Sequence, residues 1–249
     1  MQFFDKFSRF YSTSHTSPFP HRLNGRYEAI IAQNVELFSG AKILDIGSHD
    51  GRWTFAAIQA GASHVKGIEP RRELIDNAIE TFTEYGIAPT KYTFECGDVF
   101  ELLKSESFDI VLCLGFFYHT IRHAELLDRI ERTGARFVII DTEVIPPSKQ
   151  PETAAASSPR LIFDNPYDIQ ILREPVGKQQ MAYSDLLTRD GNTLVGRPSR
   201  AAVQYLSNHF GYSCVNYDWC SHFLRNSEQD SSMADYSQGW RDTFYLSKP

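Results

Sequence analysis

Apolar residues along this chain alternate between two spacings. Short runs at Ile43–Ile46, Val65–Ile68, Tyr92–Glu95 and Arg136–Ile140 read as strands, as does the stretch from Ser107 to Gly115. Between them, Trp53–Ile58, Arg71–Tyr85, Val99–Leu103 and Ala124–Arg132 carry helical spacing. In Arg71–Tyr85 the residues Leu74, Ile75, Ala78, Ile79 and Phe82 keep one apolar face, and Gly86 ends it. The unbroken apolar run up to Leu114 marks a strand covered on both faces. Strands alternating with helices predict an α/β fold with a largely parallel sheet and helices on both faces.

The flanks differ from this core. Phe3, Phe4, Phe7, Phe10 and Tyr11 recur at helix-like spacing, and Ser17–Pro20 breaks that segment. Gly25–Phe38 then reads as a helix with Tyr27, Ile30, Ile31, Val35 and Leu37 among its apolar positions. From Val144 to about residue 158 the chain is proline-rich without periodicity, which predicts a loop. Asp168–Val176 and Asn192–Gly196 read as two added strands with Met181–Leu187 between them. Pro198–Phe210 reads as a helix opened by Pro-Ser and closed by Gly211. Cys214–Trp219 and Thr243–Leu246 read as the last two strands. The pattern predicts a single domain over 1–249, with an N-terminal helical lid at 1–40 and an insertion at 144–197 after strand five.

Length and composition narrow this picture. A chain of 249 residues with 42% hydrophobic and 22% charged residues suits one large globular domain. No apolar run approaches the ~20 residues of a membrane span. The N-terminal stretch lacks an apolar signal-peptide core, so no membrane association is expected. Cys96, Cys113, Cys214 and Cys220 form no C-x-x-C pair, which predicts free thiols in a reducing cytoplasm. The net charge of −6 argues against nucleic acid as a partner. Oligomeric state is left open.

The chemistry concentrates in Ala41–Ala57, AKILDIGSHDGRWTFAA. It reads as strand, glycine turn and helix, the opening unit of a nucleotide-binding sheet. Gly47 permits a sharp turn and a close backbone approach to a ligand. The turn is G-x-x-x-G with Asp45 two residues ahead of it, whereas a dinucleotide turn is G-x-G-x-x-G. Glu69 ends strand two about twenty residues beyond the turn, where an acid can accept hydrogen bonds from both ribose hydroxyls. Asp98 suits a helix N-cap ahead of Val99. Tyr118 and His119 leave the carboxyl end of strand four, where such folds keep their chemistry.

The Asp45, Gly47 and Gly51 pattern resembles the first motif of the class I S-adenosylmethionine-dependent methyltransferases, acidic-x-Gly-x-Gly-x-Gly, with His49 at the middle glycine position. Gly97-Asp98 after strand three and Leu114-Gly-Phe-Phe-Tyr-His119 after strand four extend the resemblance, which covers residues 40–141 well and the C-terminal third loosely. The latter segment is similar to the subgroup that includes tRNA wobble-uridine carboxymethyltransferases, and small-molecule and sugar O-methyltransferases share parts of it. The resemblance implies a Rossmann-like seven-stranded sheet with an antiparallel last strand. It implies S-adenosylmethionine as cofactor, contacted by Asp45, Gly47, Ser48, Gly51, Glu69, Asp98, Val99 and Leu114. Asp98 would meet the adenine amino group, and the Val99 N–H a ring nitrogen. The N-terminal segment would pack over the cofactor mouth, unless its aromatics are core. The short stretch before strand one and the acidic balance lean away from tRNA.

Methyl transfer is an in-line displacement, and a hydroxyl nucleophile benefits from a general base. His119 is the candidate base and Tyr118 a substrate-orienting group, with His222 as a second candidate. Asp141 and Glu143, two apart on an extended segment, share a face and are candidate ligands for Mg²⁺. Arg197 and Arg200 are candidates for a substrate carboxylate or phosphate, or for surface ion pairs. The expected function is S-adenosylmethionine-dependent methylation of a small-molecule hydroxyl, with a sugar as a candidate acceptor. The alternatives are a tRNA-modifying methyltransferase, an NAD-binding oxidoreductase with a parallel last strand, and a non-catalytic cofactor-binding protein.

Overall fold

Nine strands form in the computed structural model, which describes residues 1–13, 19–104, 106–146, 167–177, 182–226 and 231–249. They are β1 (Lys42–Ile46), β2 (His64–Ile68), β3 (Tyr92–Glu95), β4 (Ile110–Leu114), β5 (Phe137–Glu143), β6 (Ile169–Pro175), β7 (Asn192–Pro198), β8 (Ser213–Asn216) and β9 (Arg241–Ser247). Seven of these make one sheet in the order β3-β2-β1-β4-β5-β9-β8. The first five pair in parallel. β9 runs antiparallel between β5 and β8, as the resemblance implied. The strand order reverses between β1 and β4, so their connections leave on opposite faces and open a crevice at the carboxyl ends.

Successive residues on a strand point to opposite faces, and each face has its own core. Leu44, Ile46, Val111, Cys113, Val138 and Ile140 face one core, met by Leu126, Leu127 and Ile130 of the His123–Arg132 helix and Val203 of the Arg200–His209 helix. Ile43, Ile110, Leu112, Leu114 and Ile139 face the other, met by Phe55 of the Arg52–Gln59 helix and Phe82 of the Arg72–Glu84 helix. Each such buried Leu, Ile or Phe stabilises the fold by about 1.5–3 kcal/mol.

The N-terminal aromatics complete the second core. Phe3–Lys6 is a single helical turn and Ser8–Tyr11 a 3₁₀ turn. Phe4 and Phe10 are fully buried. Phe4 meets Trp53 edge-on at 5.8 Å, and Phe10 meets Phe55 at 5.2 Å. Core packing is therefore the reading that fits these rings. The following helix is Pro20–Ile30 rather than Gly25–Phe38. Proline suits the first helical turn because its missing N–H would have no partner there. A 3₁₀ turn at Ala32–Asn34 separates this helix from Val35–Phe38.

β5 is longer than its apolar run, because Asp141, Thr142 and Glu143 pair with Thr243, Asp242 and Arg241 of β9. β6 and β7 form a separate antiparallel hairpin. Gly196 of β7 lies so close to His123 that a Cβ there would sit 2.6 Å from the imidazole Cε1. The strand expected at Cys214–Trp219 ends at Asn216, and Trp219 opens a helix, Trp219–Asn226. Asp218 accepts from the Ser221 N–H at 2.9 Å, and Trp219 packs on Tyr236. The loop expected after Val144 lies, from residue 147 on, outside the described residues, as does Met181. Among the described residues, no helix is long and apolar enough to cross a membrane. All four cysteines are free thiols.

Candidate active site

The turn after β1 is held by its backbone. The N–H groups of Gly47 and Ser48 both donate to the Ile68 carbonyl, at 2.9 and 3.1 Å. Gly47 has φ +66°, and a Cβ on it would lie 3.2 Å from Phe116 Cβ. His49 also sits in the left-handed region, at φ 55°. Histidine is among the few side chains enriched there, so His49 holds a conformation that a glycine at the middle motif position would adopt. Its Nε2 is buried with no partner among the described residues.

Asp45, Ser48 and Gly51 lie beneath this turn rather than on the wall of the crevice. Asp45 is buried and accepts from the Thr54 hydroxyl at 2.7 Å. Burial raises its pKa to about 7. Gly51 has φ +73°, and its Cβ would come within 2.9 Å of Ala78 Cβ, so it lets two helices approach. Next to it, Asp50 binds Arg52 in a forked pair at 2.6 and 2.8 Å.

Above the turn, a cavity of about 480 Å³ opens at the carboxyl ends of β1 to β4. Gly47, His49, Glu69, Asp98, Val99 and Leu114 line it. Glu69 accepts from the His49 N–H at 3.1 Å and from Arg71 at 3.0 Å, so its carboxylate is aimed before any ligand arrives. Asp98 caps its helix by accepting from the Phe100 N–H at 2.9 Å. Its other oxygen stands 4.0 Å from Arg122, and burial raises its pKa. The N-cap reading of Asp98 and its place on the cavity wall hold together.

His119 closes the opposite wall. It ends a 3₁₀ turn, Phe117–His119, after β4. Its Nδ1 lies 3.0 Å from Glu174 Oε2. The Ala182 N–H donates to Glu174 Oε1 at 2.8 Å and fixes that carboxylate. A carboxylate acceptor places the proton on Nδ1 and leaves Nε2 able to accept. No described residue bonds Nε2. Glu174 belongs to β6 in the insertion, and no local pattern in the sequence pointed to it. Tyr118 also lines the cavity, with its ring 4.1 Å from His119 and under the Arg241 guanidinium at 5.1 Å.

The acids proposed for Mg²⁺ are committed elsewhere. Asp141 is fully buried and accepts from Arg26 at 3.1 Å, Arg241 at 2.9 Å, Tyr236 at 2.7 Å and Thr243 at 2.9 Å. Burial alone would raise its pKa, but Arg26 and Arg241 outweigh it and hold the carboxyl at about 2. Glu143 pairs with Arg197 at 2.7 Å and faces Arg241 at 3.7 Å. Guanidiniums now occupy the space that a cation would need, so these residues do not fit a metal. Among the described residues, no cluster of three or more metal-ligating side chains occurs.

The other polar candidates also lie off the cavity. Arg197 and Arg200 form ion pairs with Glu143 and Asp242. His222 bonds the Tyr217 hydroxyl at 3.0 Å, and burial lowers its pKa. Residues that the sequence did not single out do reach the cavity: Phe19, Arg22 and Arg26 from the N-terminal side, Tyr183 and Asp185 from the insertion, and Arg241.

Residues 43–135 match the family model of a methyltransferase domain. The chain has the class I methyltransferase fold. The antiparallel β9 removes the dinucleotide oxidoreductase alternative, which required a parallel last strand. No curated protein matches the chain by sequence. Solved structures crystallised with S-adenosylhomocysteine resemble it. The N-terminal domain of EvdMO1, crystallised with S-adenosylhomocysteine and D-fucose, is 21% identical with a TM-score of 0.61, over 92% of this chain and 82% of that one. Magnesium protoporphyrin IX methyltransferase from Synechocystis PCC 6803, with S-adenosylhomocysteine bound, is 14% identical with a TM-score of 0.58, over 99% and 94% of the two chains. The complex of DhpI with S-adenosylhomocysteine is 14% identical with a TM-score of 0.57, over 98% and 93%. At these identities the likeness is one of fold.

The methyltransferase-like cavity fits S-adenosylmethionine on its own geometry. The wall at Gly47 carries no Cβ, His49 brings an unsatisfied buried nitrogen, and Glu69 is already oriented.

Proposed function

We propose that the chain transfers a methyl group from S-adenosylmethionine to a hydroxyl of a small molecule, with His119 as general base. The observation that carries this reading is the 3.0 Å contact between His119 Nδ1 and Glu174 on the cavity wall. Glu174 holds the imidazole so that Nε2 receives the acceptor's proton, and it stabilises the resulting imidazolium. Tyr118 orients the acceptor beside it. Glu69 holds the ribose hydroxyls, Asp98 and the Val99 N–H hold the adenine, and Leu114 packs alongside. Gly47 admits the cofactor's amino-acid end, while Asp45, Ser48 and Gly51 support the turn from below. S-adenosylmethionine, when bound, supplies an electrophilic methyl on a sulfonium centre.

The N-terminal helix and residues 182–185 border the cavity, which favours a small molecule over tRNA. The likeness to EvdMO1, crystallised with D-fucose, supports including sugars among the acceptors tested. Free thiols fit a cytoplasmic enzyme.

The test has two stages. Calorimetry should show S-adenosylhomocysteine binding, and hydroxylated acceptors should then be screened for its release from S-adenosylmethionine. With a turned-over acceptor, His119→Ala should lower kcat about 10²–10⁴-fold at unchanged S-adenosylhomocysteine affinity. Wild-type kcat in that variant removes His119 as the base. Absence of S-adenosylhomocysteine binding removes the methyltransferase reading.

A further inference from the structure

Three arginines line the cavity on the His119 side: Arg22, Arg26 and Arg241. They form an alternating chain with two acids, Asp141, which is fully buried, and Asp235, which is partly buried. Arg26 and Arg241 converge on Asp141 Oδ1, at 3.1 and 2.9 Å. Arg241 and Arg22 converge on Asp235 Oδ2, at 3.0 and 2.7 Å. Three guanidiniums therefore share two carboxylates. Extending the chain through Glu143 adds Arg197 as well, so one positive charge stays in excess. The centre of the network is buried, with Asp141 0%, Arg241 7% and Arg26 13% exposed at the side chain, while Arg22 and Asp235 are 19% and 25% exposed. An uncompensated charge at that buried centre costs several kcal/mol, and an anion held beside Arg26 and Arg241 would offset it.

Arg26 has a buried donor to spare among the described residues. Its Nη2 bonds Asp141, while its Nε is buried with no partner among the described residues. The guanidinium lies over the Trp53 ring at 5.0 Å, which fixes its plane. Arg241 sits on the Tyr118 ring next to His119, so the excess charge belongs to the acceptor end of the cavity. Two further arginines line the cavity near Glu69 and Asp98, but each has its own carboxylate, Arg71 with Glu69 and Arg52 with Asp50. S-adenosylmethionine does not supply the missing charge. Its carboxylate is matched by its own ammonium, and its sulfonium adds one more positive charge.

We infer that the acceptor carries a compact anion, a carboxylate or a phosphoryl group, which Arg26 grips while His119 faces the hydroxyl to be methylated. This rests on the methyltransferase reading above and names the substrate class within it. The anion neutralises the network, and a forked contact from Arg26 orients the hydroxyl toward Nε2.

The test uses the full-length protein saturated with S-adenosylhomocysteine. Calorimetry compares D-glucuronate with D-glucose, and glycerol 3-phosphate with glycerol. At least one anionic member should bind about tenfold or more tightly than its neutral partner. The preference should vanish in Arg26→Met and recover in part in Arg26→Lys, with S-adenosylhomocysteine affinity unchanged in both. A preference confined to one pair assigns the anion as carboxylate or phosphoryl. Equal binding, or no binding, of the members of both pairs to wild type overturns the inference. So does a loss of S-adenosylhomocysteine affinity in Arg26→Met, which would assign the arginine to the cofactor carboxylate. Wild-type protein that fails to bind S-adenosylhomocysteine refutes the methyltransferase reading itself, a different result from cofactor binding without anion preference.

Discussion

Arg241 Nη1 meets Asp141 Oδ1 at 2.9 Å where β5 and β9 pair in opposite directions. The contact joins the antiparallel β5–β9 junction to the wall of the cavity. It also explains how an acid with no exposed surface stays ionised.

Asp141→Asn keeps the shape and removes the charge that two guanidiniums share. Breaking a buried ion pair in this way should destabilise the protein by about 3–5 kcal/mol. Urea unfolding at neutral pH measures it. Because the folded pKa is depressed to about 2, the carboxylate stabilises the fold above the unfolded value near 4 and that contribution disappears as pH falls through about 2. The variant should therefore lose the part of the acid limb between pH 4 and 2.

Asp45 has the opposite sign. Burial raises its folded pKa to about 7, so the folded state holds its proton where the unfolded chain has lost it. This group's contribution is fully present below about pH 4 and is lost as pH rises to about 7. Asp45→Asn should be relatively more stable than wild type at pH 7 than at pH 4. A difference in Tm between the two proteins that does not change over that range would show that Asp45 is ionised in the fold.

Glu69→Gln replaces one carboxylate oxygen with an amide donor in a position already aimed by His49 and Arg71. On the proposed ribose role a charged acceptor bond is then lost, and S-adenosylhomocysteine should bind about tenfold more weakly. Affinity equal to wild type would take the ribose away from Glu69.

Phe10 separates core from lid. It is fully buried between Phe4 and Phe55, so Phe10→Ala should cost about 3–5 kcal/mol in denaturant unfolding. The folded fraction should keep its kcat. A lower kcat at wild-type stability would instead make this segment a lid.

The features legible in the residue pattern are local ones. The apolar runs at Ile43–Ile46 and Ile110–Leu114 identify strands because burial on both faces leaves no polar alternation. Gly47, Glu69 and Asp98 are legible because each sits at the carboxyl end of one strand, where a turn or cap restricts the residue type. The boundary errors have local causes too. Pro20 starts its helix early, and β5 runs past its apolar residues because β9 supplies partners for Asp141 and Glu143.

Contacts between distant segments leave no such trace. His119 and Glu174 are 55 residues apart, and Arg26 and Asp141 are 115 apart. Nothing in the spacing of Asp141 and Glu143 distinguishes a metal ligand from the anchor of two guanidiniums. That choice depends on which side chains the folded chain delivers to the same point. Local periodicity and backbone restriction thus specify the sheet, its glycine turn and the strand ends that line the cavity. The partner of His119, the fate of the acids and the excess positive charge beside them follow from packing between segments far apart in the chain.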